Sequence, residues 1–304
     1  MPINFDLDAS NAVFSLPSIS GEFDATFGTY LRKIGSSRPL VMFAFPPKAA
    51  GTFLRAAAVE AIDGQFMRVT HAQGGRDATP YLPIFIMYYA GGFPFSTMVT
   101  HLHMQALPSN RSFLEAFDIK PIIMLRDVAD MLASYWDMLD ADQATDNWLN
   151  CYLPEHFPDM EASAKADFLI NMFAPWYASY FSSWLSYAEE SPGRVCILRY
   201  GDFLRDPAAA LQTALRHAGL DRTHSKCQNA IDTVWQERSQ HRFNKGIEGR
   251  GRSRFQPHHI ERLDQMLFEH YELSKYRDDL LPRDNVQRIF AALENDLTRR
   301  AAPG

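Results

Sequence analysis

The sequence predicts an α/β fold, a mainly parallel central sheet flanked by helices, and three stretches carry that expectation. Val41 to Phe45 is a short apolar run rich in strand formers, closed by Pro46-Pro47 and followed by a tight loop and a helical pattern. Pro121 to Leu125 reads as a second buried strand, with Val128, Met131, Leu132 and Tyr135 recurring after it at helical spacing. Val195 to Leu198 is a third, again followed by an Ala/Leu-rich helical stretch. Strands alternating with helices in this way build parallel sheets covered on both faces.

Composition sets the outer limits. A chain of 304 residues accommodates one large α/β domain or two smaller ones, and 46% hydrophobic content supports a packed core. The net charge of −6 gives no ground for general nucleic-acid affinity. Cys151, Cys196 and Cys227 are widely spaced and odd in number, which fits neither a disulfide framework nor a zinc pattern and points to a reducing, cytoplasmic setting. The N-terminal MPINFDLDASNAVFSL lacks a basic region and a long apolar core, so no secretory leader is expected. Tyr81 to Phe95, the most apolar stretch, is broken by Pro83, Gly91, Gly92 and Pro94 and is too interrupted to cross a bilayer. We expect a single domain over 1–304, with residues 1–37 as an N-terminal arm carrying one short helix near Phe23 to Lys33.

The first strand, Leu40 to Phe45, leads into Lys48-Ala49-Ala50-Gly51-Thr52 and a helix from about Gly51 to Ile62. A helix N-terminus entered through a tight loop of small residues presents backbone N–H groups and a positive dipole end to an anion, normally a phosphate. Lys48 adds a mobile charge and Thr52 a hydroxyl; the competing reading is an ordinary βα turn with a solvated lysine. It is not the usual nucleotide-triphosphatase loop, because there the lysine follows the second glycine, whereas Lys48 precedes the only one.

Gln73 to Pro80 reads as a loop. Tyr81 to Met98 holds Tyr81, Phe85, Tyr88, Tyr89, Phe93 and Phe95, either a core helix and turn or the wall of a pocket for an apolar or aromatic acceptor. Met98 to Leu102 reads as a strand end carrying His101, with His103 two residues on and pointing to the same face. In Lys120 to Trp136, Arg126 stands at a strand end, Asp127 can cap the helix that follows, and Ser134 lies eight residues beyond Arg126. A guanidinium and a hydroxyl so placed suit a phosphate; the competing reading pairs Arg126 with Asp127 or Asp130. Ala164 to Glu189 is a long helical pattern containing Pro175, with Trp176, Tyr180 and Trp184 as a core stripe. Tyr200-Gly201-Asp202-Phe203 follows the strand at Val195. Arg238 to Arg254 is the one basic segment, rich in glycine, and reads as a solvated loop, a nucleic-acid arm or a lid over an anion; we take residues 238–256 as a lid-like loop. Gln256 to Tyr271 and Asp284 to Arg299 read as helices.

Five of these segments, in order, resemble the PAPS-dependent sulfotransferases. Pro47 to Phe53 is similar, without gaps, to their 5′-phosphosulfate loop P-K-S-G-T-T-W, with glycine one place later at Gly51 and Phe53 in place of tryptophan. Thr100-His101-Leu102 matches K-T-H-L-P, Val99 replacing the lysine. Arg126, Asp130, Ser134 and Tyr135-Trp136 match R-N-P-x-D-x-x-x-S-Y-Y, with Asp127 and Val128 replacing Asn-Pro. Tyr200 stands where the family has Y-E-D-[LM], and Lys245-Gly246-Ile247-Glu248-Gly249 matches K-G-x-x-G, with Asn244 for the family's arginine and Gly251 for its tryptophan. The resemblance implies a P-loop-like phosphate-binding loop, PAPS as co-substrate, and no metal. It implies cofactor contacts from Lys48, Ala49, Ala50, Gly51, Thr52, Phe53, Arg126, Ser134, Tyr200, Lys245 and Gly246. Lys48 and His101 take the catalytic roles, His101 as general base with His103 as its rival. The acceptor is left open among small molecules, lipids and sugars. A P-loop-like small-molecule kinase with Asp127 as metal ligand, and a non-catalytic nucleotide-binding module, are the alternatives.

Overall fold

The computed structural model describes residues 38–70, 79–142, 154, 156–237, 248–271 and 273–282, together with Thr29 and Lys33. The rest of the expected N-terminal arm, most of the loop before Pro80, Cys151, the segment containing Asn244, Lys245 and Gly246, and the helix expected at Asp284 to Arg299 lie outside the described residues.

Five strands form one parallel sheet. These are β1 (Leu40–Phe43), β2 (Gln65–Phe66), β3 (Met98–His101), β4 (Ile122–Leu125) and β5 (Cys196–Arg199), in the spatial order β2-β3-β1-β4-β5. β1 runs beside β3 from Leu40↔Met98 to Phe43↔His101, and β4 beside β5 from Ile122↔Cys196 to Leu125↔Arg199. Val41, Met42, Phe43, Ile122, Ile123 and Met124 are wholly buried, because a central parallel strand is covered on both faces and shows no polar alternation. β1 is two residues shorter than expected. The carbonyls of Ala44 and Phe45 are taken by the side chains of Tyr180 and His103 rather than by a neighbouring strand.

Helices follow the strands in the expected alternation: α1 (Gly51–Ile62), α2 (Leu82–Tyr89), α3 (Pro108–Ala116), α4 (Val128–Asp142), α5 (Ala162–Glu190), α6 (Tyr200–Arg205), α7 (Pro207–His217), α8 (His224–Gln236), α9 (Arg250–Arg254) and α10 (Pro257–Asp264). α5 runs through Pro175 without a break. The helix expected from Gln256 to Tyr271 is α-helical only to Asp264 and continues as a π-helical turn over Gln265–His270. The aromatic stretch after Tyr81 is mostly core. Phe85, Tyr88 and Tyr89 are buried, Phe85 meets Phe113 at 4.7 Å between ring centroids, and the Tyr88 hydroxyl accepts a 2.9 Å hydrogen bond from Met98 N. Pro83, Ile86 and Met87 are the residues α2 leaves exposed. Among the described residues no helix is long and apolar enough to cross a membrane.

The strand order reverses around β1, so the carboxyl ends of β3, β1 and β4 open onto one crevice. In open parallel sheets this is where ligands bind.

Candidate active site

The loop after β1 is held by its carbonyls. Tyr180 of α5 donates to Ala44 O, Tyr177 donates to Pro47 O at 2.9 Å, His103 Nδ1 lies 2.8 Å from Phe45 O, and Arg126 donates to Lys48 O. Four of its carbonyls are thus tied to side chains from three other parts of the fold. The turn is sharpened by two non-glycine residues in the left-handed region, Lys48 (φ 65°) and Ala50 (φ 60°). Such backbone costs free energy and persists where surrounding contacts fix it. Ala50 is the N-cap of α1 and has no side chain with which to cap it. The first turn of α1 is therefore left without a side-chain cap at the end that meets the loop. Lys48 Nζ rests 3.6 Å from Met138 Sδ on α4, with the Tyr135 ring 5.9 Å away.

The left-handed position falls on Ala50, and the neighbouring Gly51 serves a different purpose. A Cβ at Gly51 would lie 2.3 Å from His101 Nε2, so only glycine leaves room for the imidazole against the loop. His101 ends β3 beside Phe43, and its Nε2 is buried with no hydrogen-bond partner among the described residues. Burial, helped by His103 and Arg55, holds its pKa well below the ordinary imidazole range, which keeps it neutral. His103 packs edge-on against it at 4.8 Å. Because Phe45 O can only accept, His103 Nδ1 carries the proton and its Nε2 is the lone-pair nitrogen. Burial lowers the His103 pKa as well, the carbonyl bond partly opposing it.

Arg126 follows β4 and links both sides of the crevice. Besides donating to Lys48 O, its guanidinium lies over the Tyr200 ring, Cζ 3.9 Å from the centroid. Its Nε is buried and unpartnered among the described residues, a donor kept out of water with its bond unmade. Neither Asp127 nor Asp130 pairs with it. Asp127 Oδ1 accepts from Ala129 N at 2.8 Å and caps α4, and Asp130 accepts from Gly249 N at 2.8 Å and Gly251 N at 2.7 Å. Burial and the nearby Asp130 push the Asp127 carboxyl up to about 7. Ser134, two turns into α4, is buried.

The sequence between Glu248 and Arg254 forms a strap across α4, and its glycines are not there for flexibility. Gly249 adopts φ 82°, open to glycine without strain. A Cβ on Gly251 would lie 2.3 Å from the backbone carbon of Ala129, so the two chain segments touch at backbone distance. Arg250 pairs with Asp137, while Arg254 reaches Asp140 at 3.5 Å and lies over Trp136 at 4.3 Å.

A family model described as the sulfotransferase domain matches residues 93–275, well over half of the chain. The chain belongs to the sulfotransferase family. It is an enzyme of sulfuryl transfer, and the matched span contains His101, Arg126, Ser134 and Tyr200, while the loop at Lys48 lies upstream of it. Among solved structures, it is similar to mouse sulfotransferase SULT7A1 complexed with PAP, at 15% identity and TM-score 0.55 over 89% of this chain and 95% of that one. A retinol dehydratase in complex with androsterone and inactive cofactor PAP matches at 13% identity and TM-score 0.49, over 85% and 87% of the two chains. A sulfotransferase from Alicyclobacillus acidocaldarius matches at 16% and 0.42, over 79% and 99%. No curated protein matches the sequence significantly.

Two features of this sulfotransferase escaped the sequence reading. The ring of Phe53, expected as an aromatic face, has no exposed surface; it packs edge-on against Phe203 at 6.0 Å and Trp235 at 5.8 Å. Trp235, on α8, is 43% exposed and supplies the open aromatic surface beside the loop. A tryptophan near a helix C-terminus gives no sign of this in sequence. The other is the paired grip of Asp130 on Gly249 and Gly251, which spans about 120 residues of chain.

Proposed function

We propose that the sulfuryl donor is PAPS, held between the loop at Lys48 and the start of α4, and that the acceptor is a hydroxyl or amine of a small molecule, lipid or sugar. The supporting observation is Arg126. One guanidinium joins the carbonyl of the first anion-binding loop to the Tyr200 ring and keeps its Nε buried and unbonded. A nucleoside with anionic groups at both ends matches such a crevice, and the mouse sulfotransferase of the same fold was solved with PAP. The residues fit the donor: the α1 N-terminus, Lys48 and Thr52 at the 5′ end, Arg126 and Ser134 at the 3′-phosphate, Tyr200 and Trp235 near the base. Phe53 supports the ring of Trp235 in this reading, and Lys245 and Gly246 belong to the same proposal.

When bound, PAPS supplies the sulfuryl group. The chain supplies the rest. An imidazole at the end of β3, His101 by its place in the motif, takes the acceptor's proton, and its neutral form is the one that can. The loop N–H groups and Lys48 neutralise charge that grows at the 5′ end during transfer, an electrostatic contribution made before reaction begins. We take the domain as single, because the described residues share one core. The buried thiols of Cys196 and Cys227, both free, suit a cytoplasmic protein. The net charge of −6 favours no nucleic-acid partner.

Calorimetric titration tests the donor: tight binding of 3′,5′-diphosphoadenosine with none of ATP–magnesium is expected, and the reverse preference overturns it. A mass-spectrometric screen of phenols, sterols, sugars and amines for a gain of about 80 Da then finds the acceptor class.

A further inference from the structure

Asp127 carries an oxygen that the fold leaves unsatisfied. It stands directly after Arg126 at the start of α4 and is 9% exposed. Its Oδ1 accepts from Ala129 N at 2.8 Å, while its Oδ2 is buried with no hydrogen-bond partner among the described residues. Three residues on, Asp130 is 1% exposed and gives both of its oxygens to the strap, accepting from Gly249 N and Gly251 N. Between the two acids, Ala129 meets Gly251 at backbone distance. The first turn of α4 thus sets two buried carboxyl groups against one short length of strap. The family motif has asparagine where Asp127 stands, a side chain of nearly the same shape that caps a helix equally well and cannot ionise. A metal-ligand role for Asp127 belongs to the kinase alternative, which family membership sets aside.

We propose that Asp127 is a proton switch for the strap: with its carboxyl neutral the strap closes on α4, and with its carboxyl ionised the strap is loosened. A carboxylate oxygen kept from water without a partner is costly, and a second carboxylate three residues along the same helix raises the cost. Protonation removes both penalties and keeps the cap, because Oδ1 still accepts from Ala129 N. Burial, and after it the charge of Asp130, accordingly push the Asp127 carboxyl up to about 7. Arg252 of α9 opposes them: its charge acts on Asp127, and its Nε is buried and unpartnered among the described residues, although its Nη2 donates to Pro282 O. The other charged groups at this junction are turned elsewhere, Arg126 to Lys48 O and the Tyr200 ring, Arg250 to Asp137, and Glu248 toward Gly201 of α6. An acid whose pKa is raised in the closed state favours closure at low pH. The strap should therefore loosen as pH rises from the ordinary carboxylate range, about 4, to about 7, and change no further beyond it. If Arg252 prevailed instead, an ionised Asp127 would tie the strap down and the dependence would run the other way.

The experiment is amide hydrogen exchange of the full chain, read on the peptide from Gly249 to Phe255 between about pH 5.5 and 8 and corrected for the intrinsic exchange rate. Its first amides include the two that Asp130 holds, so exchange reads the grip directly. In wild type, protection should fall about tenfold between about pH 5.5 and 7.5 and then level off. Asp127→Asn keeps a capping oxygen and cannot ionise, so its protection should stay at the low-pH level throughout. Asp127→Ser, a second uncharged cap, should be equally flat, and thermal melting shows that both variants are folded. Asp130→Asn should lose protection at every pH. Wild-type protection that is flat or that rises with pH overturns the proposal without recourse to any variant. So does a pH dependence that survives in the folded Asp127 variants, or undiminished protection in Asp130→Asn.

Discussion

The two ends of the crevice are built by opposite means. At the β1 end the proposed anion site is backbone: a turn with Lys48 and Ala50 in left-handed conformations, four carbonyls tied back, and a first turn of α1 with no side-chain cap. At the α4 end it is side chain: Arg126 lying over Tyr200, buried Ser134, and a strap gripped by Asp130. A backbone site tolerates changes of residue type as long as the turn is kept, which is why Ala49-Ala50-Gly51 replaces Ser-Gly-Thr without loss of the loop. A side-chain site depends on particular chemical groups but draws them from anywhere in the chain. Arg126 belongs to both, and substitutions can test how far the division holds.

The largest effect is expected at the point where the backbone site meets the histidines. His101→Ala should lower kcat about a hundredfold to ten-thousandfold while diphosphoadenosine binding stays near normal. His103→Ala is the companion variant, and a dead His103→Ala beside an active His101→Ala would move the base by two residues. Since burial keeps the His101 pKa well below 6.5, the acid limb of the kcat/KM profile should fall on the acidic side of that value. Gly51→Ala should approach the His101→Ala loss, because its Cβ would displace the imidazole. Combining the two should cost little more than His101→Ala alone; additive losses would mean that Gly51 acts on the loop and not through the histidine.

Lys48→Ala comes next, with kcat falling by about a hundredfold and affinity for the spent cofactor changing much less, because its charge counts most where negative charge develops. Equal losses in turnover and binding would make it an anchor. Ser134→Ala and Arg126→Ala then separate the two ends. Ser134→Ala should weaken diphosphoadenosine by about tenfold and spare adenosine 5′-monophosphate. Arg126→Ala should weaken both, since the same guanidinium holds the Lys48 carbonyl of the 5′ loop. Were Arg126→Ala selective for the diphosphate, the bond to the loop would contribute nothing to its shape.

What could be read in the sequence follows the same division. Lys48, His101, Arg126 and Tyr200 each stand at or just past the end of an apolar strand, so local pattern and motif spacing put all four at the carboxyl edge of one sheet. The strap could not be read that way. Gly249 and Gly251 look like flexible punctuation until Ala129 and Asp130 are brought against them from 120 residues away. The aromatic run after Tyr81 invited a reading as acceptor wall, but its Phe85, Tyr88 and Tyr89 are consumed by packing on α3 and on the strand at Met98. Composition cannot say which face of a helix meets the core when nearly every residue of it is apolar. Trp235 presents the reverse case, an aromatic on a polar helix whose exposure beside Phe53 depends on how α8 packs.

The smallest expected effect tests whether the β1 site really rests on backbone alone. Ala50 sits at φ 60° and ψ 17°, where an alanine Cβ costs about 1–2 kcal/mol relative to glycine. Ala50→Gly removes that cost but frees the unfolded chain, which takes back about 0.4–1 kcal/mol. The net should be a gain of about 0.5 kcal/mol, seen as a melting temperature raised by roughly one degree. The family motif carries glycine at this place, so activity and diphosphoadenosine affinity should be unchanged within twofold. Loss of affinity in Ala50→Gly would mean that the strain itself is used, holding the N–H groups in a geometry that a relaxed glycine lets go. The Lys48 turn would then be more than a scaffold, and the contrast between a tolerant backbone site and an exacting side-chain site would have to be given up at this residue.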